Sequence, residues 1–154
     1  MANLNINQFQ QVPVRGEQDL QISRTGILTG IVSPNQATAL KAGDFVIIDA
    51  TVTAQGNIPF FKKADDDDVG LVCAIIHDVK KDSYAAGDAL QVALPFGGPV
   101  IFMTAGATIA PGAAVEDNES GKVVTLASNK LRGYALDPGV TDQLCRILLY
   151  SGLS

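Results

Sequence analysis

The sequence predicts an all-β protein, a compact antiparallel barrel or sandwich, and three observations carry that reading. One turn is written three times, each time ahead of an apolar run: Ala42-Gly43-Asp44 before Phe45-Val46-Ile47-Ile48, Ala86-Gly87-Asp88 before Ala89-Leu90-Gln91-Val92, and Pro111-Gly112-Ala113 before Ala114-Val115. Glycine reaches positive φ without a Cβ clash, and a neighbouring Asp can bond back to nearby amides, so each copy specifies its turn. Turn clusters also separate the apolar runs at short, even spacing, among them Gln55-Gly56-Asn57, Phe96-Gly97-Gly98-Pro99, Asn118-Glu119-Ser120-Gly121 and Asp137-Pro138-Gly139; this is the punctuation of a many-stranded antiparallel domain. Helical pattern is confined to residues 35–41, one turn at most.

Taken in order, residues 1–14 carry no charged side chain, and Asn and Gln are threaded there with Leu4, Ile6, Phe9, Val12 and Val14. The segment is too polar for core and too apolar for a solubilising tail. The alternation at Leu4 and Ile6 suggests an extended arm that pairs with another surface by strand addition, and the bland alternative is a frayed terminus. Strand candidates then follow at 20–23, 26–32, 45–52, 59–62, 69–77, 90–94, 100–103, 113–115, 122–126, 131–135 and 144–150. The expected organisation is an extended N-terminal arm over residues 1–23 and one β-barrel domain over residues 24–154.

Of 154 residues, 47% are hydrophobic and 18% charged, which places the chain in the globular class with a surface rich in uncharged groups suited to protein contact. The net charge of −5 has the wrong sign for a nucleic-acid surface, and basic residues cluster no further than Lys62-Lys63 and Lys80-Lys81. There is no apolar stretch near the length of a membrane span, and residues 1–14 lack the pattern of a secretory signal. A soluble protein made in a cytoplasm is the expectation. Cys73 and Cys145 both lie in apolar strand-like runs, as two buried thiols would.

Chemistry has few candidate groups. His77, the single histidine, ends an apolar run as a strand-end residue does, and one His with two Cys cannot supply a structural zinc site. Neither a nucleophile elbow nor a dinucleotide fingerprint occurs, and Gly121-Lys122 is followed by Val123 rather than the Ser or Thr of a phosphate loop. The run Asp65-Asp66-Asp67-Asp68 lacks the later ligands of a calcium loop, since Val69 and Ile76 stand where oxygen donors are needed. It reads as a solvated loop whose charge discourages edge-to-edge pairing. Asn118-Glu119-Ser120 reads as an exposed turn. The expectation is no enzyme, no cofactor and no metal.

The order of these pieces carries a resemblance. Lys41-Ala42-Gly43-Asp44 with its strand, Lys62-Lys63-Ala64 through the acidic run to Val69-Gly70-Leu71-Val72, Ala86-Gly87-Asp88-Ala89-Leu90-Gln91-Val92-Ala93-Leu94-Pro95, and Ile109-Ala110-Pro111-Gly112-Ala113-Ala114-Val115 together resemble the capsid decoration, or cement, proteins of tailed bacteriophages. Leu131-Arg132-Gly133-Tyr134-Ala135-Leu136-Asp137 and Cys145-Arg146-Ile147-Leu148-Leu149 resemble that family's C-terminal half. The resemblance implies a β-barrel or β-tulip-like domain that forms a homotrimer on the outer surface of the virion head. Its partners would be the major capsid protein and neighbouring decoration trimers, without direct contact to nucleic acid or membrane. On that reading Leu4, Ile6, Phe9, Val12 and Val14 anchor the arm to the coat lattice and Arg15 adds a polar clamp. The rival is a carbohydrate- or receptor-binding β module of a tail or fibre, against which stands the lack of Trp and the scarcity of other aromatic residues for stacking on sugars.

Overall fold

A computed structural model describes residues 15–16, 26–53, 58–96, 98–118 and 120–150, and ten strands account for its order. They are β1 (Ile27–Val32), β2 (Phe45–Ile48), β3 (Phe60–Lys63), β4 (Val72–Ile75), β5 (Ala89–Ala93), β6 (Val100–Thr104), β7 (Ala114–Asp117), β8 (Val123–Thr125), β9 (Gly133–Ala135) and β10 (Leu144–Leu149). The all-β expectation holds. No helix forms among the described residues: a turn at residues 34–35 opens an irregular stretch that ends with Leu40 in an isolated bridge to Tyr84, in place of the single helical turn the sequence allowed. The run expected as a strand over 45–52 stops at Ile48, because Asp49 turns its carboxylate onto the Thr51 amide at 3.0 Å and hydroxyl at 2.6 Å.

The strands form a closed barrel, β1-β3-β2-β4-β5, and a five-stranded sheet, β6-β10-β9-β7-β8. These are two copies of one design. Counting five strands along the chain turns the first order into the second, and the registers coincide: Ile27↔Ala93 answers to Val100↔Leu148, Phe45↔Ala74 to Ala114↔Tyr134, and Ile48↔Phe61 to Asp117↔Val123. The isolated bridge Leu40↔Tyr84 answers to Ile109↔Gly139. All pairings are antiparallel except β1 with β3, which closes the first barrel, and its counterpart in the second copy is a single parallel bridge, Ala105↔Val123. The second copy is therefore the same barrel with its seam nearly open.

The repeated turns belong to this duplication. Gly43, Gly87 and Gly112 have φ of 82°, 87° and 79°, and the amide after each donates to the carbonyl three residues back, at 3.0–3.1 Å. The Asp44 and Asp88 carboxylates also accept from the Lys41 and Ala85 amides at 2.7 and 2.8 Å. A fourth turn, with the Gln143 amide on the Val140 carbonyl, has Asp142 at φ 64° in the place that glycine holds elsewhere; a short polar side chain tolerates that region better than most.

Alternate residues of each strand face inward. Val32, Val46, Phe61, Cys73, Ile75, Leu90 and Val92 fill the first copy, while Ile101, Met103, Ala105, Val115, Val123, Ala135, Cys145, Ile147 and Leu149 fill the second. Phe45, Ala64, Val72, Ala74 and Ala93 point out of the first barrel and join the core of the second copy, so the halves share one packed seam. Both cysteines are buried free thiols, and burial pushes them up to about 12 for Cys73 and about 11 for Cys145, where neither is a nucleophile at neutral pH. No helix of the described residues is long and apolar enough to cross a membrane.

Candidate interaction surface

Among the expected contact residues, Leu4, Ile6, Phe9, Val12 and Val14 lie outside the described residues, as does most of the arm over 1–23. Arg15 is described, and its partners are within the chain. Its guanidinium donates to Asp44 Oδ1 at 2.7 Å, in the β1–β2 connection of the first half, and to the Gly121 carbonyl in the β7–β8 turn of the second. Next to it, the Gly16 amide donates to the Phe102 carbonyl on β6 at 2.7 Å, while the Gly16 carbonyl accepts from the His77 amide beyond β4 at 2.9 Å. Each residue thus bridges the two halves. Gly16 is buried at φ 78°, and a Cβ there would meet the Gly43 amide nitrogen at 2.5 Å. Whatever precedes Arg15 in the chain starts from a point tied to both barrels.

The acidic run is more tightly held than a solvated loop. The Asp68 carboxylate accepts from the Asp65 amide at 2.8 Å. The Arg132 guanidinium, 4% exposed, reaches across from the second half and donates to the carbonyls of Asp65 at 2.7 Å and Asp68 at 2.9 Å, while its Nε pairs with Asp117 Oδ1 at 2.8 Å. Arg132 thus holds the run by its backbone, and Asp67 stays exposed. Opposite, Glu116 Oε2 accepts from the amides of Ala127, Ser128 and Asn129 at 2.8–3.1 Å. Burial raises the Glu116 pKa, but these three amides together outweigh it and leave the carboxyl below its usual range. Among the described residues, no group of three or more His, Cys, Asp or Glu is placed to hold a metal ion.

Two further surfaces have no counterpart among the sequence expectations. A cavity of about 460 Å³ lies beside the loop over 76–84, lined by Thr29, His77, Asp78, Val79, Tyr84 and Gln91 among others. The second copy has a shorter connection there, so this cavity belongs to the first half. The other surface is the outer face of β7, β9 and β10, where Tyr134 is 37% and Tyr150 47% exposed and their rings stand 6.0 Å apart. Its signal is present in Leu144-Cys145-Arg146-Ile147-Leu148-Leu149-Tyr150, a run whose inward face is apolar and whose outward face carries Leu144, Leu148 and Tyr150 with Arg146 among them.

The comparisons with known proteins bear on the fold. No family model matches the sequence, and no curated protein matches it. Among solved structures, the chain is similar to the crystal structure of the head fiber gp8.5 N base in bacteriophage phi29, with a TM-score of 0.53 and 17% identity, over 85% of this chain and 99% of that one. At that identity the likeness is one of fold: the chain has a ten-stranded architecture similar to that of a phage head-fiber base.

Proposed function

We propose that this chain is a structural protein of a phage virion, and more finely a decoration protein that binds the outer surface of the head. The observation that carries the proposal is the fold shared with the head-fiber base over nearly the whole of that chain. The finer reading adds a non-catalytic homotrimer that bridges subunits of the major capsid protein and opposes the outward load of packaged DNA. The resemblance in the order of sequence motifs supports it, together with an arm root fastened to both halves of the body. A standard interface buries about 1,600 Å² in total, and several arms on one oligomer add avidity because later contacts are intramolecular. Leu4, Ile6, Phe9, Val12 and Val14 are assigned the coat contact; Arg15, engaged within the chain, is assigned to anchoring the arm.

The test is co-sedimentation with emptied phage heads, for the full chain and for a deletion of residues 2–14. The full chain pellets with the heads, and the deletion variant folds and stays in the supernatant. Full occupancy by the deletion variant sinks the arm assignment; a full chain that stays in solution sinks the virion reading. The cavity beside residues 76–84 favours one alternative, a carbohydrate- or receptor-binding module, because His77, Asp78, Tyr84 and Gln91 line a concave site with mixed polarity. A glycan-array signal lost in a Gln91→Ala variant, without head binding, is the outcome that selects it.

A further inference from the structure

The two barrels differ at the seams that close them, and the difference is local. At one end the seams agree. Val32 pairs with Phe61 as Ala105 pairs with Val123, and the Ser33 amide donates to the Phe61 carbonyl at 2.7 Å as the Gly106 amide donates to the Val123 carbonyl at 2.8 Å. Two residues earlier on each strand they part. In the first barrel the Ile31 amide donates to the Pro59 carbonyl at 3.0 Å. The equivalent groups of the second are the Thr104 amide and the Gly121 carbonyl, and that carbonyl takes the Arg15 guanidinium instead.

Gly16 does the same on the facing strand. Across to β10, the Pro99 carbonyl accepts from the Leu149 amide at 2.8 Å and the Ala105 amide donates to the Gln143 carbonyl at 2.9 Å. Hydrogen-bonded pairs alternate along an antiparallel ladder, so the carbonyl of Phe102 on β6 points away from β10 and into the seam. The Gly16 amide donates to it at 2.7 Å. Arg15 thus holds an acceptor ahead of β8 and Gly16 holds one on β6, beside the stretch where β1 and β3 of the first barrel pair with each other directly. Proteins commonly cover an open sheet edge with a loop. Here the cover takes a carbonyl whose counterpart in the sister barrel takes part in closure.

We propose that Arg15 and Gly16 form a removable wedge in the seam of the second barrel, and that withdrawing them lets β6 and β8 close as β1 and β3 do. The closed state has its pattern in the same chain, in the first barrel. The Gly121 carbonyl has a donor in both states, Arg15 in one and the Thr104 amide in the other, so the exchange strands no acceptor there. The wedged state is the resting one, because it adds the bond from Arg15 to Asp44 and the bonds of Gly16 to Phe102 and His77, all of which closure gives up. A partner that draws on the chain ahead of Arg15 therefore changes the shape of the second barrel. A barrel held closed in turn releases Arg15, since such coupling is reciprocal.

Thiol trapping on the full chain is the test. Thr104→Cys with Lys122→Cys puts two thiols at the equivalents of Ile31 and Phe60, which pair across the first seam. Both point outward, since Met103, Ala105 and Val123 fill the core, and the chain's own Cys73 and Cys145 are buried. Under oxidised glutathione the disulfide is expected to form slowly, and on the order of tenfold faster when Arg15→Ala is added. In the chain that keeps Arg15, oxidation is expected to speed trypsin cleavage after Arg15 by a similar factor, and reduction to restore the slow rate. A pair that never oxidises, an oxidation rate indifferent to Arg15→Ala, or a cleavage rate indifferent to oxidation each overturns the proposal. Amide exchange needs no added thiol: in the Arg15→Ala chain, checked for intact β structure by circular dichroism, the Thr104 amide is expected to be protected by the Gly121 carbonyl. Exchange there at the rate of an open strand overturns closure. No phage head enters these measurements, so their failure counts against the wedge alone and leaves the virion reading as it stands.

Discussion

Gly16 is the residue on which the arm root depends, because it has no room for a side chain. Its φ of 78° favours glycine, and an added Cβ would stand 2.5 Å from the Gly43 nitrogen and 2.8 Å from the Ala42 carbonyl carbon. Neither contact is with a flexible side-chain end, so the strand of chain has to move. Gly16→Ala is expected to cost about 1–3 kcal/mol for the backbone strain and to free Arg15 from Asp44. Trypsin reports this directly: cleavage after Arg15, slow in the parent chain, becomes fast in the variant, and an unchanged rate refutes the anchoring role. Asp49 acts at the same scale through protonation. Ser33 Oγ donates to Asp49 Oδ2 at 2.6 Å and Thr51 donates to Oδ1 through both hydroxyl and amide, which lowers the carboxyl from 3.8 to about 2. A carboxyl with a depressed folded pKa contributes stability that is complete above the unfolded value and is lost as pH falls through the folded one. The melting temperature should therefore hold steady down to about pH 4 and then fall towards pH 2, and Asp49→Asn should remove that part of the acid limb.

At the scale of the element, the two copies solve one packing problem in opposite ways. Gly30 on β1 and Phe61 on β3 occupy the positions that Met103 on β6 and Val123 on β8 occupy in the second copy, as the pairings Gly30↔Leu90 and Met103↔Cys145 show. A Cβ on Gly30 would meet the Phe61 ring at 2.4 Å, so the large residue sits on one strand in the first barrel and on the other strand in the second. Gly30→Ala is expected to lose about 1–3 kcal/mol by overpacking. Adding Phe61→Val opens the space, so the double variant should cost less than the sum of the two single changes, with a coupling on the order of 0.5–3 kcal/mol read from urea unfolding; strict additivity refutes the exchange. Such compensation separates what is legible in the sequence from what is not. Turn chemistry is local, so Ala42-Gly43-Asp44, Ala86-Gly87-Asp88 and Pro111-Gly112-Ala113 each announce the strand that follows them. The fourth turn carries no such mark, because Asp142 stands where glycine would supply it, and the duplication stays hidden because equivalent core positions exchange Gly for Met and Phe for Val.

For the whole molecule, the question is what makes two barrels one body, and the answer centres on a residue the sequence could not single out. Arg132 reads as one polar position in a strand run, and its partners Asp65, Asp68 and Asp117 become visible only when the halves are docked. The guanidinium lies 5.9 Å from the centre of the Phe45 ring, in the shared seam, and binds the backbone of the acidic run from the opposite half. Burial pushes the Asp117 carboxyl above its usual range, and the hydrogen bond and charge of Arg132 offset this only in part. Removing one partner leaves the other charge buried and several carbonyls without donors, which costs about 3–5 kcal/mol. Arg132→Met is therefore expected to lose that much in denaturant unfolding and to speed amide exchange over residues 65–69, the loop it clamps. Replacing both partners by apolar residues of similar size, Arg132→Met with Asp117→Leu, should recover a large part of the unfolding free energy, because the stranded charge is gone. Exchange over 65–69 should stay fast in that double variant, since the donors to Asp65 and Asp68 are still missing. If the loop regains protection along with the stability, Arg132 is a buried ion pair and nothing more; if it does not, the same residue joins the acidic loop of one barrel to the core of the other.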